Sequence, residues 1–363
     1  MAYNRKQPFN DLPNLPPAFD FNHPAILNNL VKASRQLGEL NGLCSTLPEP
    51  TLLINTIVLQ ESRDSSAIEN IVTTQDELFQ AVANEKTFND AAKEVLRYRQ
   101  AIYRGLELMD NTKNLITTNT LIQIVQTIKE NQSGVRNAPG TALKNAITGE
   151  VIYTPPCCED EIREKLKALE KFVNDEFLSD LDPLIKMALI HYQFESIHPF
   201  FDGNGRTGRI LNVLYLVQQK LLPQPVLYLS SYINKNKSLY YRLLREVTEA
   251  ENWQDWVMFI LTSISETARL TAQKIRNILQ LKKNLEEEVK EVLGVSYNYE
   301  LVKMMFTLPY LKIELLEKNK IAHRQTASNW LKKLANANIL NTKKIGKTNY
   351  YVNWRLLEIL SNE

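Results

Sequence analysis

A mostly α-helical protein, with one short β-hairpin in its middle and a winged helix-turn-helix at its C-terminus, is the architecture this sequence predicts. Three observations point there. Apolar residues recur every three or four positions through most of the 363 residues, the period of helices that bury one face. One stretch, GTALKNAITGEVIYTPP at 140–156, departs from that period: β-branched residues flank Thr148-Gly149, and Pro155-Pro156 stops the run, as in a short hairpin. From about 295, three helical segments and a basic, strand-like run follow in quick succession, which are the parts of a winged helix.

Taken in order, Pro8 to Pro24 reads as an extended surface arm with no chemistry required of it. Helical periodicity then covers 24–43, 52–62, 89–108, 118–130, 160–175 and 182–195. Asp182-Pro183 has the form of a helix start, with the aspartate as cap and proline in the first turn. RILNVLYLVQQKL, from Arg209, is apolar nearly all round, so this helix belongs at the centre of the fold. Helices at 236–250 and 253–293 follow, the last ending in QLKKNLEEEVKEV, whose charges at helical spacing suggest a solvated connector. In the tail, YELVKMMFTLPYL, IELLEKN and HRQTASNWLKKLANANIL are the helical segments, and NTKKIGKTNYYVN is the hairpin. These boundaries divide the chain into an N-terminal helical region (1–110), a central core (111–255), a connecting helix (256–294) and the winged helix (295–363).

Composition excludes several classes. An apolar fraction of 44% and a charged fraction of 23% are ordinary for a soluble globular chain. A net charge of +2 gives no global pull towards nucleic acid or anionic lipid. No apolar run is long enough to span a bilayer, and the N-terminus lacks the apolar segment of a secretory signal. Cys44, Cys157 and Cys158 form neither a disulfide framework nor a CxxC zinc pair. A reducing, cytoplasmic location is expected, with no membrane partner.

The chemistry is concentrated in HPFFDGNGRTGR, residues 198–209. Gly203 and Gly205 flank Asn204 just before a helix. Bare backbone there allows close approach of a ligand, and successive amides at a helix N-terminus form a nest for an anion. Arg206 and Arg209 share one face of the first helical turn. Two cations at that end oppose the helix dipole, a cost that an anionic partner offsets. Forked guanidinium groups suit a polyphosphate, although a carboxylate elsewhere in the fold would serve too. Asp202 is placed to hold Mg²⁺ beside phosphates. His198 suits a general base, and Pro199 should hold it in extended backbone at a helix end. Phe200 reads as an apolar anchor. His191 and Glu195 are spaced like a metal pair, but no third ligand is in sight and a buried helix explains them better. Gly346-Lys347-Thr348 imitates the end of a Walker A motif, but position 341, where its first glycine should fall, is Asn. It belongs to the wing.

This dozen residues resembles the signature of Fic-domain proteins, HxFx(D/E)GNGRxxR, with every defined position matched. The hairpin ending in YTPP and the C-terminal helices extend the resemblance over nearly the whole chain, implying a Fic-type helical core. Such proteins transfer AMP from ATP to a Ser, Thr or Tyr hydroxyl of a target protein, often including themselves. The resemblance implies that His198 deprotonates the hydroxyl and Asp202 holds Mg²⁺. Gly203, Asn204, Gly205, Arg206, Thr207, Gly208 and Arg209 would contact the nucleotide. Val151, Ile152 and Tyr153 would be the flap that pairs with target backbone. Tyr240 and Tyr241 match a pair near the adenine pocket, although two helical tyrosines fit a core equally well.

SSAIEN, residues 65–70, admits two readings. Ser66-x-x-Glu69 is a capping box at the start of a helix. The same stretch, with Ser65, Glu69 and Asn70, matches the Fic inhibitory motif (S/T)xxxE(G/N), which implies that Glu69 pairs with Arg209 and misaligns ATP. In some relatives the same glutamate also supports AMP removal. For the winged helix, Gln325, Thr326 and Ser328 suit base edges if it binds DNA, which would make the chain a regulator with a nucleotide-sensing core. A protein-interaction or dimerisation module, giving a homodimer, is the favoured alternative.

Overall fold

The computed structural model of the chain describes residues 3–45, 50–83, 89–145, 148–345 and 348–361. The N-terminal region holds α1 (Pro24–Ser45), α2 (Pro50–Ile68), α3 (Gln75–Ala83) and α4 (Asp90–Asn111). The middle comprises α5 (Thr118–Lys129), β1 (Leu143–Lys144), β2 (Val151–Tyr153), α6 (Glu159–Asn174), α7 (Pro183–Ile197), α8 (Asn204–Gln218), α9 (Leu229–Lys235) and α10 (Lys237–Ala250). The long α11 (Trp253–Leu293) then leads to a C-terminal unit.

Helices α7 and α8 form the centre. Every residue from Leu184 to Phe194 is buried, as is nearly all of α8, because α4, α5, α6 and α11 pack around the pair. An all-round apolar helix survives only in such a position. Asp182 caps α7 as its sequence predicts, accepting from the Leu184 amide at 2.8 Å, with proline in the first turn. The hairpin forms too: Leu143 pairs with Tyr153 and Lys144 with Val151 in antiparallel register, while Ala146 and Ile147 lie outside the described residues.

Three sequence expectations need correction. SSAIEN lies at the C-terminal end of α2, which runs on to Ile68. The capping-box reading therefore fails: there are no free first-turn amides for Ser66 and Glu69 to satisfy. The arm at the N-terminus does more than lie on the surface. Leu12 and Phe21 are buried, and the Phe9 amide donates to Thr154 O at 3.0 Å, beside the hairpin. Finally, α11 is no solvated connector. Its apolar stripe continues through Leu285, Val289 and Leu293, all buried, so one helix serves both the central core and the C-terminal unit.

That unit contains α12 (Tyr299–Thr307), β3 (Tyr310–Leu311), α13 (Ile313–Lys318), α14 (Arg324–Asn336), β4 (Asn341–Ile345), β5 (Thr348–Val352) and α15 (Trp354–Ser361). The three helices and basic hairpin expected of a winged helix are there, with β3 completing an antiparallel sheet ordered β3-β5-β4. Gly346 and Lys347 lie outside the described residues. Among the described residues, no helix is long and apolar enough to cross a membrane.

Candidate active site

The loop between α7 and α8 is held open by its own backbone. His198 ends α7 in the left-handed conformation (φ 48°), its amide donating to Phe194 O at 3.0 Å. This differs from the extended backbone expected before a proline. Closing α7 with a left-handed residue satisfies a terminal carbonyl. Gly203 takes φ 84° to start α8, a conformation that favours glycine. Phe200 is buried as the anchor. Asn204 clips the loop shut: its Oδ1 accepts from the Phe200 amide at 2.8 Å and its Nδ2 donates to Phe200 O at 2.7 Å. Its side chain is thus committed to the loop, leaving only its backbone for a ligand.

His198 is half-buried, and its Nδ1 lacks a hydrogen-bond partner. Burial, helped by the nearby Arg136 guanidinium, pushes its pKa down to about 4, so the imidazole is neutral at physiological pH and can accept a proton. Arg136 braces this corner, its Nε donating to His198 O at 2.7 Å and its guanidinium also reaching Pro156 O. Tyr153 ties the hairpin to α7 through a 2.7 Å bond to Ser196 O, while Val151 and Ile152 are half-buried.

Both arginines are deeply buried, and both have carboxylate partners. Arg206 meets Glu94 of α4 at 2.8 Å. Arg209 reaches back to the end of α2. Its Nε donates to Ser65 Oγ at 2.7 Å, and its Nη2 donates to Ser65 O at 2.9 Å and Glu69 Oε1 at 2.8 Å. The same Glu69 oxygen lies against Gly205, where any Cβ would strike it. A carboxylate therefore stands beside the start of α8, against the glycine and guanidinium expected to receive a phosphate. Burial works against its charge, yet Arg209, Arg206 and Lys237 together hold its pKa below the ordinary value. Asn70, at φ 64°, ends the segment, with Lys237 donating to both Ile68 O and Asn70 Oδ1. At Gly208 a Cβ would meet Glu195 Oε1 at 2.5 Å. Thr207 Oγ1 is buried without a partner.

Asp202 is the loop's exposed carboxylate. It accepts from the Gly203 amide at 2.5 Å and pairs with Lys129 of α5 at 2.6 Å. Despite partial burial, Lys129 and Arg206 hold its pKa low. Among the described residues, no group of three His, Cys, Asp or Glu could hold a metal by itself, consistent with rejecting the His191–Glu195 pair. A lone ionised carboxylate beside an anion nest nevertheless fits Mg²⁺, which takes most of its ligands from phosphates and water.

The tyrosine pair splits. Tyr240 is core: fully buried, its hydroxyl lies 2.9 Å from His191 Nε2 among Trp256 and Phe259. Tyr241 is 46% exposed and faces the charges of Glu69 and Arg209. Four contributors had no sequence signal: Glu94, Lys129, Arg136 and Lys237 are ordinary helix or loop residues that folding alone brings here.

A buried helix pair around a glycine-walled anion loop defines a helical core built to hold negative charge. Comparison with known proteins gives that core a family. The model for Fic/DOC family N-terminal matches residues 27–107, that for the Fic/DOC family matches 115–216, and that for the protein adenylyltransferase SoFic-like C-terminal domain matches 281–356. The chain belongs to the Fic/DOC family. Among curated proteins, protein adenylyltransferase fic-1 of Caenorhabditis elegans is 37% identical over 68 residues, 19% of this chain and 13% of its own length. Protein adenylyltransferase Fic of Drosophila melanogaster is 32% identical over 105 residues, 29% of this chain and 20% of its own length. The matched segments thus span a fifth or less of these relatives. Among solved structures, a Fic family protein from Desulfovibrio desulfuricans G20 has a TM-score of 0.59 at 19% identity, covering 93% of this chain and 98% of that one. Fic-1 from C. elegans has a TM-score of 0.53 at 19% identity, covering 71% and 75% respectively. Both share the fold.

Proposed function

We propose that this chain is a protein adenylyltransferase, moving AMP from ATP to a hydroxyl side chain of a protein, itself included, and that Glu69 restrains it. The observation that carries this reading is the carboxylate of Glu69 seated on Arg209 and against Gly205, where one anion stands in for another. Supporting it, His198 is neutral and Arg206 is buried at the same helix end.

In this reading the neutral imidazole of His198 takes the hydroxyl proton as the oxygen attacks the α-phosphorus. The bond from that phosphorus to the bridging oxygen breaks, and pyrophosphate leaves. The Gly203–Gly205 backbone and both arginines neutralise the phosphates, so most of the catalysis is positioning and charge stabilisation. Asp202 would hold Mg²⁺ once Lys129 releases it, and the metal would add positive charge beside the phosphates. Glu69, on the guanidinium that should receive a terminal phosphate, lets ATP bind only with its reactive phosphorus misplaced. Val151, Ile152 and Tyr153 would align the target's backbone as an added strand, and Tyr241, rather than Tyr240, is positioned to meet the nucleotide.

The test uses ATP labelled at the α-phosphate. Glu69→Gly should raise self-modification about tenfold or more, as expected for release of a 1–2 kcal/mol restraint, and intact mass should show added AMP. Label transferred only from γ-labelled ATP would mean phosphoryl transfer instead and sink the proposal.

A further inference from the structure

The Ser65–Asn70 segment is held from two sides. One is the loop side already described. The other is the C-terminal unit, which grips the chain both before and after the segment. Gln60 Nε2 donates to Leu360 O. Ser361 Oγ donates to Gln75 Oε1 at 3.0 Å. Tyr310 and Lys343 both reach the Asp76 carboxylate, Lys343 at 2.5 Å.

Where α2 meets α9, α11 and α15, these contacts enclose a pocket of about 220 Å³. Ile57, Leu270 and Ile359 give it apolar walls, while Arg63, Lys235 and Lys274 supply three cations. No carboxylate lines it among the described residues. Asp64 lies behind the wall, paired with Arg63 at 2.8 Å. Lys274 is poised over the Tyr228 ring, 5.8 Å from its centroid, and bonds to Leu360 O at 3.3 Å. Cations gathered round a void, with apolar surface opposite, are the complement of an amphipathic anion. The volume falls below that of drug-sized sites, so the occupant is compact.

We propose that this pocket is an effector site for a small molecule with an apolar body and one anionic headgroup. Such a ligand would touch α2 through Ile57 and Arg63 and α15 through Ile359 at once. It would therefore favour the arrangement in which α2 is docked and Glu69 stays on Arg209. This consequence for activity rests on reading Glu69 as the restraint; the binding itself does not.

The probe is phenyl phosphate, titrated into the full chain by calorimetry. It should bind saturably at one site, and the double variant Lys235→Ala, Lys274→Ala should bind about tenfold more weakly or worse, the loss of two charge contacts. Thermal melting would verify that the variant is folded. Inorganic phosphate, which lacks the apolar body, and benzyl alcohol, which lacks the anion, should each bind more weakly than the probe. Absent binding, unchanged affinity in the variant, or equal affinity for inorganic phosphate overturns the proposal. With α-labelled ATP, the probe should depress self-modification of the unmodified chain and leave Glu69→Gly unaffected. Equal inhibition of both would place it in the 198–209 loop and overturn the proposal too. If neither protein transfers AMP, the activity reading fails, while the calorimetry still decides the pocket.

Discussion

The loop at 198–209 and the segment at 65–70 face each other across Arg209, and they differ in how their meaning is stored. The loop carries its purpose locally: its histidine, its aspartate, its glycines and its first-turn arginines all converge within a dozen positions. The segment carries almost none. By itself SSAIEN is the last turn of an ordinary helix, and it acquires a role only because α2 docks so that Glu69 meets Arg209 at 2.8 Å. A catalytic constellation built on one turn is rigid and readable. A restraint built from a distant helix must be able to leave, so its evidence lies in a contact rather than a pattern.

The sharpest way to break this comparison is at the base. In a Glu69→Gly background, His198→Ala should lower AMP transfer about 10²–10⁴-fold, the range of a general base, measured with α-labelled ATP. Retained transfer would deprive the loop of its proposed chemistry. Next, Glu94→Ala removes the partner of Arg206, a guanidinium that is only 2% exposed. Leaving that charge without its carboxylate should cost about 2 kcal/mol, less than for a fully buried pair because Glu94 itself is partly exposed. Thermal or denaturant unfolding would measure it, and an unchanged midpoint would show that the arginine finds another counter-charge.

The pH dependence is subtler. The folded pKa of His198, about 4, lies below the ordinary histidine value, so the base is available at all pH values above it and is lost as pH falls through it. The transfer rate of Glu69→Gly should therefore stay level from about pH 8 to 6 as far as this group is concerned, and decline on its account only in more acid solution. The same depression means that the stability contributed by keeping His198 neutral is complete above its unfolded pKa and drains away as pH drops from there through 4. A descending limb near pH 6.5 would show that the working loop exposes the ring more than the resting one. The smallest effect is expected at the tyrosine pair: Tyr240→Phe removes one buried hydroxyl bond to His191 and should cost about 1 kcal/mol of stability, with little change in nucleotide affinity.

Much of the fold was legible because its helices are regular. The boundaries of α6 and α7 lie within two residues of the periodic runs that predict them, and Asp182-Pro183 marks a start that local chemistry alone dictates. The failures have physical causes. α11 looked solvated at its C-terminal end because most of its residues there are charged, yet one apolar stripe suffices to bind the C-terminal unit. His198 looked extended because proline follows it, but helix termination prevailed. Tyr240 and Tyr241 are adjacent in sequence, and only packing sends one to the core and the other to the rim.

Sequence by itself determined the helical periods, the glycine-flanked turn and the placing of two arginines on one helical face, since each depends on neighbours within a few residues. The tertiary structure decided which charges meet. Glu94, Lys129, Arg136 and Lys237 enter the site from three helices and a loop, and Glu69 reaches Arg209 from 140 residues away. No local pattern encodes such pairings, because a buried charge takes whichever partner the packing of whole helices delivers to it.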